Sequence, residues 1–317
     1  MGVGDIVGIA LDMDNQTAVF YKNGTAGASI SLSSTKTAST DNITELFPIV
    51  GVYNANVSFN AGQRPFIQTV PTGYSSLSKT NLSEPTISDP STAFGVALFT
   101  GNGSSQTISG LGFSPDLVWT KLRSIGFGHR IWDTVRGATK RLEPHATTAE
   151  ATEATALTAF TSDGFSVGAE SNVNLNSGSL VAWAWDAGSS TVSNTDGSVT
   201  SNVRANPSAG FSIVSYSGTG SNATIGHGLN AAPKLVIIKN RDNAYNWVVG
   251  HADSGFNNIL VLNESYAAGD TSQTGGQTQY FNDTAPTSSV FYSSTGGYND
   301  SGESLIFFCW AEIPGYS

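Results

Sequence analysis

The groups in this chain that could do chemistry are few and scattered. Four histidines, His129, His145, His227 and His251, lie far apart, and no two have the spacing of a metal-ligand pair. Cys309, in "SLIFFCWAEI", is the only cysteine, so it can form neither a disulfide within the chain nor a thiolate metal site. Its apolar strand-like surroundings make it a small buried hydrophobe. No Gly-x-Ser-x-Gly, His-Glu-x-x-His or Walker-type Gly-Lys-Ser/Thr sequence occurs. "DMDNQT" (12–17) begins like a calcium loop. It then puts Thr17 where the loop needs its glycine and Asn23 where it needs its closing glutamate. "TGNGSS" and "SGTGSN" complete no dinucleotide fingerprint and read as hairpin turns. His227, in "IGHGL", is expected to bond backbone in a turn.

Two carboxylates brought together from distant strands could still cleave a glycosidic bond. The Asp and Glu residues sit mostly in turn-like contexts, such as Asp116 at a strand start and Asp163 before Gly164. The expectation is therefore a protein without an enzymatic centre, metal or cofactor. A β-sandwich can bind through loops that combine aromatic faces with polar groups, which stack on sugars or anchor protein interfaces. Candidates for such contacts are His129 and Trp132 in "GFGHRIWDT", Tyr245, Trp247 and His251 in "NAYNWVVGHA", and Tyr298 in "GGYNDSG". Trp132 and Trp247 could equally be equivalent core residues, and Tyr245 and Tyr298 could also be structural.

The elements that would carry these residues are strands. Of 317 residues only 12% are charged, against 39% hydrophobic and 35 glycines, which suits many short strands joined by polar turns. The net charge of -10, with no run of Lys or Arg, speaks against nucleic acid as a partner. No apolar run approaches the roughly 20 residues of a membrane helix, so membrane insertion is not expected. "GIALDMDNQTAVFYKNG" (8–24) alternates and then meets Asn-Gly, the signature of strand, turn, strand, turn. "LFPIVGVY" (46–53) and "ANVSFNAG" (55–62) are further strand candidates. Residues 147–160, rich in Ala, Glu and Thr, fit either a helix or a long ordered loop.

Two stretches repeat. "ALFTGNGSSQTISGLGFSPDLVWTKLR" (97–123) matches "VSYSGTGSNATIGHGLNAAPKLVIIKNR" (214–241), with Leu117 on Leu235, Lys121 on Lys239 and Arg123 on Arg241. "SGSLVAWAWDA" (177–187) matches "SGESLIFFCWAEI" (301–313). This predicts two β-sandwich repeats, 94–187 and 209–317, bracketed by linkers at 79–93 and 188–208.

The order "GDIVGIALDMDNQTAVFYKNG", "LFPIVGV", "VSFNAGQRPF" and "PTGY" resembles the C-terminal half of a SPRY domain over about residues 2–77. That resemblance implies a bent antiparallel sandwich whose loops bind partners, here residues 1–78. It also leads to the expectation that the chain is a segment of a longer polypeptide. "FSPDLVWTKLRS", "WDTVRGATKRL", "FTSDGFSVG", "VAWAWDAG" and "CWAEIPGYS" resemble a module of bacteriophage tail and fibre proteins over residues 94–317. What that resemblance implies is a virion component, all-β and built of tandem antiparallel, jelly-roll-like sandwiches. Its partners would be other virion proteins and a glycan or protein receptor on the host, and it would be a homo-oligomer, with the trimer of phage fibres as the expected form. Host-surface adhesion is the expected function. The alternatives are a structural virion protein without a receptor and a glycan-cleaving depolymerase.

Overall fold

The computed structural model describes residues 2–32, 57–78, 81, 87–269, 280–295, 298–314 and 316. Its strands pair antiparallel and fall into two units, residues 1–83 and 84–317.

In the first unit β1 (Val7–Asp12), β2 (Thr17–Lys22) and β3 (Thr25–Ser31) form a three-stranded meander. Asn23 (φ 51°) and Gly24 (φ 83°) both take the left-handed conformation, which folds β3 back with Lys22 opposite Thr25. Asp12 accepts from the Asn15 N–H at 2.9 Å and so fixes the β1–β2 turn. The strand expected at 46–53 lies outside the described residues, as do 55–56. Residues 57–62 are described and are not a strand. Of the 79–93 linker, 79–80 and 82–86 also lie outside.

In the second unit the first repeat contains β4 (Phe94–Thr100), β5 (Gln106–Ser109), β6 (Leu117–Leu122), β7 (Arg130–Asp133), β8 (Lys140–Arg141) and β9 (Ala151–Thr152). It continues through β10 (Leu157–Thr161), β11 (Gly164–Val167), the single helical turn α1 (Ser171–Asn174) and β12 (Ser179–Trp185). A four-stranded sheet, β4-β12-β6-β7, faces the smaller β10-β11-β5 sheet. Val118, Trp132, Phe165, Ala182 and Ala184 pack together in this first core. No helix forms over 147–160. Thr-rich sequence there gives β9 and the start of β10, with Ala156 and Leu157 turned into the core.

The second repeat contains β13 (Thr191–Asn194), β14 (Ser201–Asn206), β15 (Phe211–Ser217), β16 (Ala223–Gly226) and β17 (Pro233–Asn240). β18 (Val248–His251), β19 (Leu260–Val261), β20 (Val290–Ser293) and β21 (Ser304–Ala311) complete it. Its seven-stranded sheet runs β13-β14-β15-β21-β17-β18-β19, and β16-β20 forms the small sheet. Residues 188–208 are therefore not a linker. They supply β13 and β14, which extend the sheet from the β15 edge, because Val203 alternates inward into the second core.

The duplication holds in register through the central strands β4, β12, β6 and β7, which match β15, β21, β17 and β18. Leu117 pairs with Trp185 and Asp133, as Leu235 pairs with Trp310 and His251. The Gly-rich segments also correspond, but they cross between sheets and are not hairpins. In each, an asparagine amide holds the loop: Asn174 reaches the Ser104 carbonyl, and Asn299 reaches that of Ser221. Gly101 and Gly218 sit where an added Cβ would lie 2.1 Å from a carbonyl oxygen, of Leu175 and Asp300 respectively. Only glycine fits so close a backbone approach.

The two repeats share a core instead of swinging on a tether. Leu117, Ile131 and Leu142 of the first pack with Phe211, Ile213, Ile237, Trp247, Ile306 and Phe308 of the second. Trp185 and Trp310, equivalent residues, meet edge to face at 6.1 Å between ring centres. Residues 142–150 of the first repeat form a strap over the second. Arg241 donates to both Glu150 oxygens at 2.8 and 3.0 Å, and Trp247 Nε1 donates to the carbonyls of Glu143 and Ala146. Lys239, fully buried, gives its ammonium to the carbonyls of Thr147, Asn243 and Tyr245.

Because Trp247 belongs to the shared core, Trp247→Ala should cost about 3–5 kcal/mol of stability. The loss should appear in one cooperative unfolding transition covering both repeats. Urea titration followed by tryptophan fluorescence and far-UV circular dichroism checks this. Two separated transitions, with the loss confined to one, would contradict the shared core.

Candidate functional site

The structure disperses the six residues expected at a binding surface. Trp132 and Trp247 are fully buried, in the first core and in the shared core, so neither offers an accessible ring. They are also not equivalent to each other. The β6–β7 and β17–β18 registers put Trp132 opposite Val118 and Gly250 opposite Val236, which aligns Trp132 with Gly250 and Trp247 with His129. Tyr298 is buried too. Its hydroxyl donates to the Asn246 carbonyl at 2.7 Å, and burial pushes the phenol well above its usual range. His251 is partly exposed at the far end of β18, where its Nδ1 accepts from the Asp253 N–H at 3.2 Å.

Tyr245 remains at the surface. It lies in the loop between β17 and β18, with its ring against Tyr298 at 5.8 Å, and Tyr280 stands behind Tyr298 at 4.9 Å. Buried Tyr298 thus supports the loop from beneath and Tyr245 forms its outer face. The corresponding β6–β7 loop carries Phe127, also exposed, at the equivalent position two residues before His129. Each repeat therefore presents one aromatic ring on the loop after its central strand. Phe127 could have been found from "GFGHRIW" by aligning it with "NAYNWVV".

The second exposed feature is a sheet face. On the outward side of β4-β12-β6, Val96 lies opposite Trp183, and Trp183 opposite Trp119. His129 completes the group. Its ring stacks near Trp183 (6.3 Å, 16° between planes) and stands edge-on to Trp119. Trp119 Nε1 donates to His129 Nδ1 at 2.9 Å, which assigns the imidazole proton to Nε2. Lys121 and Arg123 flank the group, and Leu98 extends it. The signal for this face lay in "LVAWAWDA", where alanines alternate with tryptophans.

Among the described residues, several buried acidic groups are held in ion pairs. Glu143 pairs with Arg130 at 2.8 Å, Glu153 with Arg141, and Asp133 with Arg136 at 2.5 Å. Burial raises the Glu150 carboxyl, but Arg241 and Arg136 outweigh it and hold the group below the usual carboxylate range. Asp116, pushed up by burial, accepts from the Ala187 N–H and the Thr134 hydroxyl and lies 2.6 Å from Arg204. These contacts fasten strands together. Among the described residues no group of three His, Cys, Asp or Glu side chains could hold a metal ion.

Burial depresses the basicity of two histidines. His129 is lowered first by burial and then by Lys121. His227 is lowered by burial, with its Nε2 at 3.1 Å from the Thr287 carbonyl and its Nδ1 accepting from the Leu229 N–H. In both, the unfolded state takes up protons first as pH falls, so stability is fully present above about pH 6.5 and is lost below it. Melting temperature measured from pH 8 to pH 5 should fall, and His227→Asn should flatten part of that fall. A flat or rising profile for the unsubstituted protein would contradict the assignment of neutral, hydrogen-bonded rings.

A family model described as "Domain of unknown function (DUF7483)" matches residues 89–317, and the SPRY domain matches residues 1–64. No curated protein and no solved structure matches the chain.

Proposed function

From the premise that the chain belongs to the DUF7483 family, with a SPRY match at its N-terminal end, we propose a non-enzymatic phage virion fibre or tail protein that adheres to the host surface. The observation that carries this reading is the pair of equivalent loops, each ending in one exposed ring, Phe127 or Tyr245, on a block made rigid by a shared core. Rings of this kind stack on sugars or seat in protein pockets. The virion setting is supported by the sequence resemblance of residues 94–317 to phage tail modules. Tyr298 and the Lys239 ammonium tie the Tyr245 loop to the body, so little ordering remains to be done on contact. Each contact is small, and adhesion comes from many copies acting together through effective concentration.

The test is competition. Purified protein at saturating dose should reduce phage adsorption to host cells, and the Phe127→Ala/Tyr245→Ala double variant should need at least tenfold more protein for the same reduction. Both substitutions are at the surface, so circular dichroism should be unchanged. An absence of competition at saturation would sink the adhesive role, and equal competition by the double variant would move it away from these loops.

A further inference from the structure

The interface between the repeats is used in one direction only. The strap of the first repeat covers the sheet of the second, yet among the described residues the equivalent strap of the second packs only on its own repeat and covers no part of the first. Ladder register makes the comparison residue by residue. Ile131 bridges to Leu142 as Val249 pairs with Leu260, so Leu142 and Leu260 are equivalent. Leu142 is 0% exposed and Leu260 is 37% exposed, with Leu262 beside it at 38%. On the sheet side the inequality runs the other way. Val96 corresponds to Ile213 and Leu98 to Ser215. Val96 and Leu98 are 51% and 68% exposed, while Ile213 and Ser215 are buried at 0% and 8%.

We infer that the open face formed by Val96, Leu98, Trp119, His129 and Trp183 receives the Leu260–Glu264 strap of a second copy of this chain, repeating the contact that joins the two repeats within one chain. Three correspondences support a second copy as the occupant. His129 stands where Trp247 stands, and its Nε2 proton can donate to strap carbonyls as the Trp247 indole does. Lys121 stands where Lys239 stands, and Lys239 reaches the strap carbonyl of Thr147. The two open surfaces also carry opposite charge, with Lys121 and Arg123 at the face and Glu264 on the strap.

A contact between two different surfaces is heterologous, so copies add head to tail, into a ring if the rotation closes and a filament if it does not. This goes beyond the adhesive reading and is independent of it, since it concerns the isolated protein without a host.

The experiment uses the full chain with Leu98→Asp on the face and, separately, Leu260→Asp/Leu262→Asp on the strap. Sedimentation velocity of the unsubstituted protein should show concentration-dependent association beyond a dimer or to a closed ring. Each variant alone should be monomeric, and their mixture should form a one-to-one dimer that grows no further, because each supplies the surface the other lacks. That rescue also shows that both variants are folded. A monomeric unsubstituted protein would overturn the inference, as would a strap variant that still self-associates, which would indicate face-to-face pairing. Host-adsorption competition by the Leu98→Asp monomer, if retained, leaves the adhesive role standing whatever the assembly result.

Discussion

Burying an indole N–H without an acceptor is costly, and Trp247 finds two acceptors in the carbonyls of Glu143 and Ala146, in the other repeat. This exchange sets the organisation of residues 94–317. Around it, Lys239 donates to Thr147 and Arg241 clasps Glu150, so polar groups that could not be left bare are satisfied only when the strap is in place. The apolar side chains beneath, from Leu142 to Phe308, then close into one core. Two sandwiches that could have been separate domains become one body, each with its own inner core and a third between them.

A duplicated unit usually diverges where its two copies meet different surroundings. Here the divergence follows burial. Positions covered in the second repeat hold Ile213, Ile237, Phe308 and Trp247. Their counterparts in the first hold Val96, Trp119, Trp183 and His129; the two tryptophans are larger and the histidine more polar than the residues they replace, and each carries a ring nitrogen suited to a face that water reaches. The same asymmetry appears in the strap, where Leu142 is enclosed and Leu260 is not. A contact made once within the chain leaves one unmatched surface at each end, and these two ends carry exposed apolar residues and opposite charge.

Much of this was legible in the sequence. Asn23-Gly24 announced its turn through the positive φ both residues adopt, and the duplication itself followed from matching Leu117, Lys121 and Arg123 to their partners. Less legible were features that depend on what lies across an interface. Residues 188–208 looked like a linker because they are rich in Ser, Asn and Gly, yet Val203, with Val199 and Ala205 beside it, packs on the second core while β14 ladders onto β15. Trp132 and Trp247 appeared interchangeable by type, whereas the ladder offsets them and pairs Trp247 with His129. A loop aromatic cannot be assigned to core or surface from its neighbours when the covering chain comes from some 100 residues away. Tyr298 and Tyr245 differ in this way only: one supports the loop and the other tops it.

Cross-linking tests the central claim most directly. Cys309 is fully buried in the unsubstituted protein and burial raises its thiol, so it gives a quiet background for introduced cysteines. His129→Cys and Glu264→Cys in one chain occupy the positions equivalent to Trp247 and Ala146, which touch within the chain. Mild oxidation followed by denaturing electrophoresis should yield a ladder of covalent multimers or a closed ring from the double variant and no ladder from either single variant. Only monomer from the double variant, at concentrations where sedimentation shows association, would contradict the account.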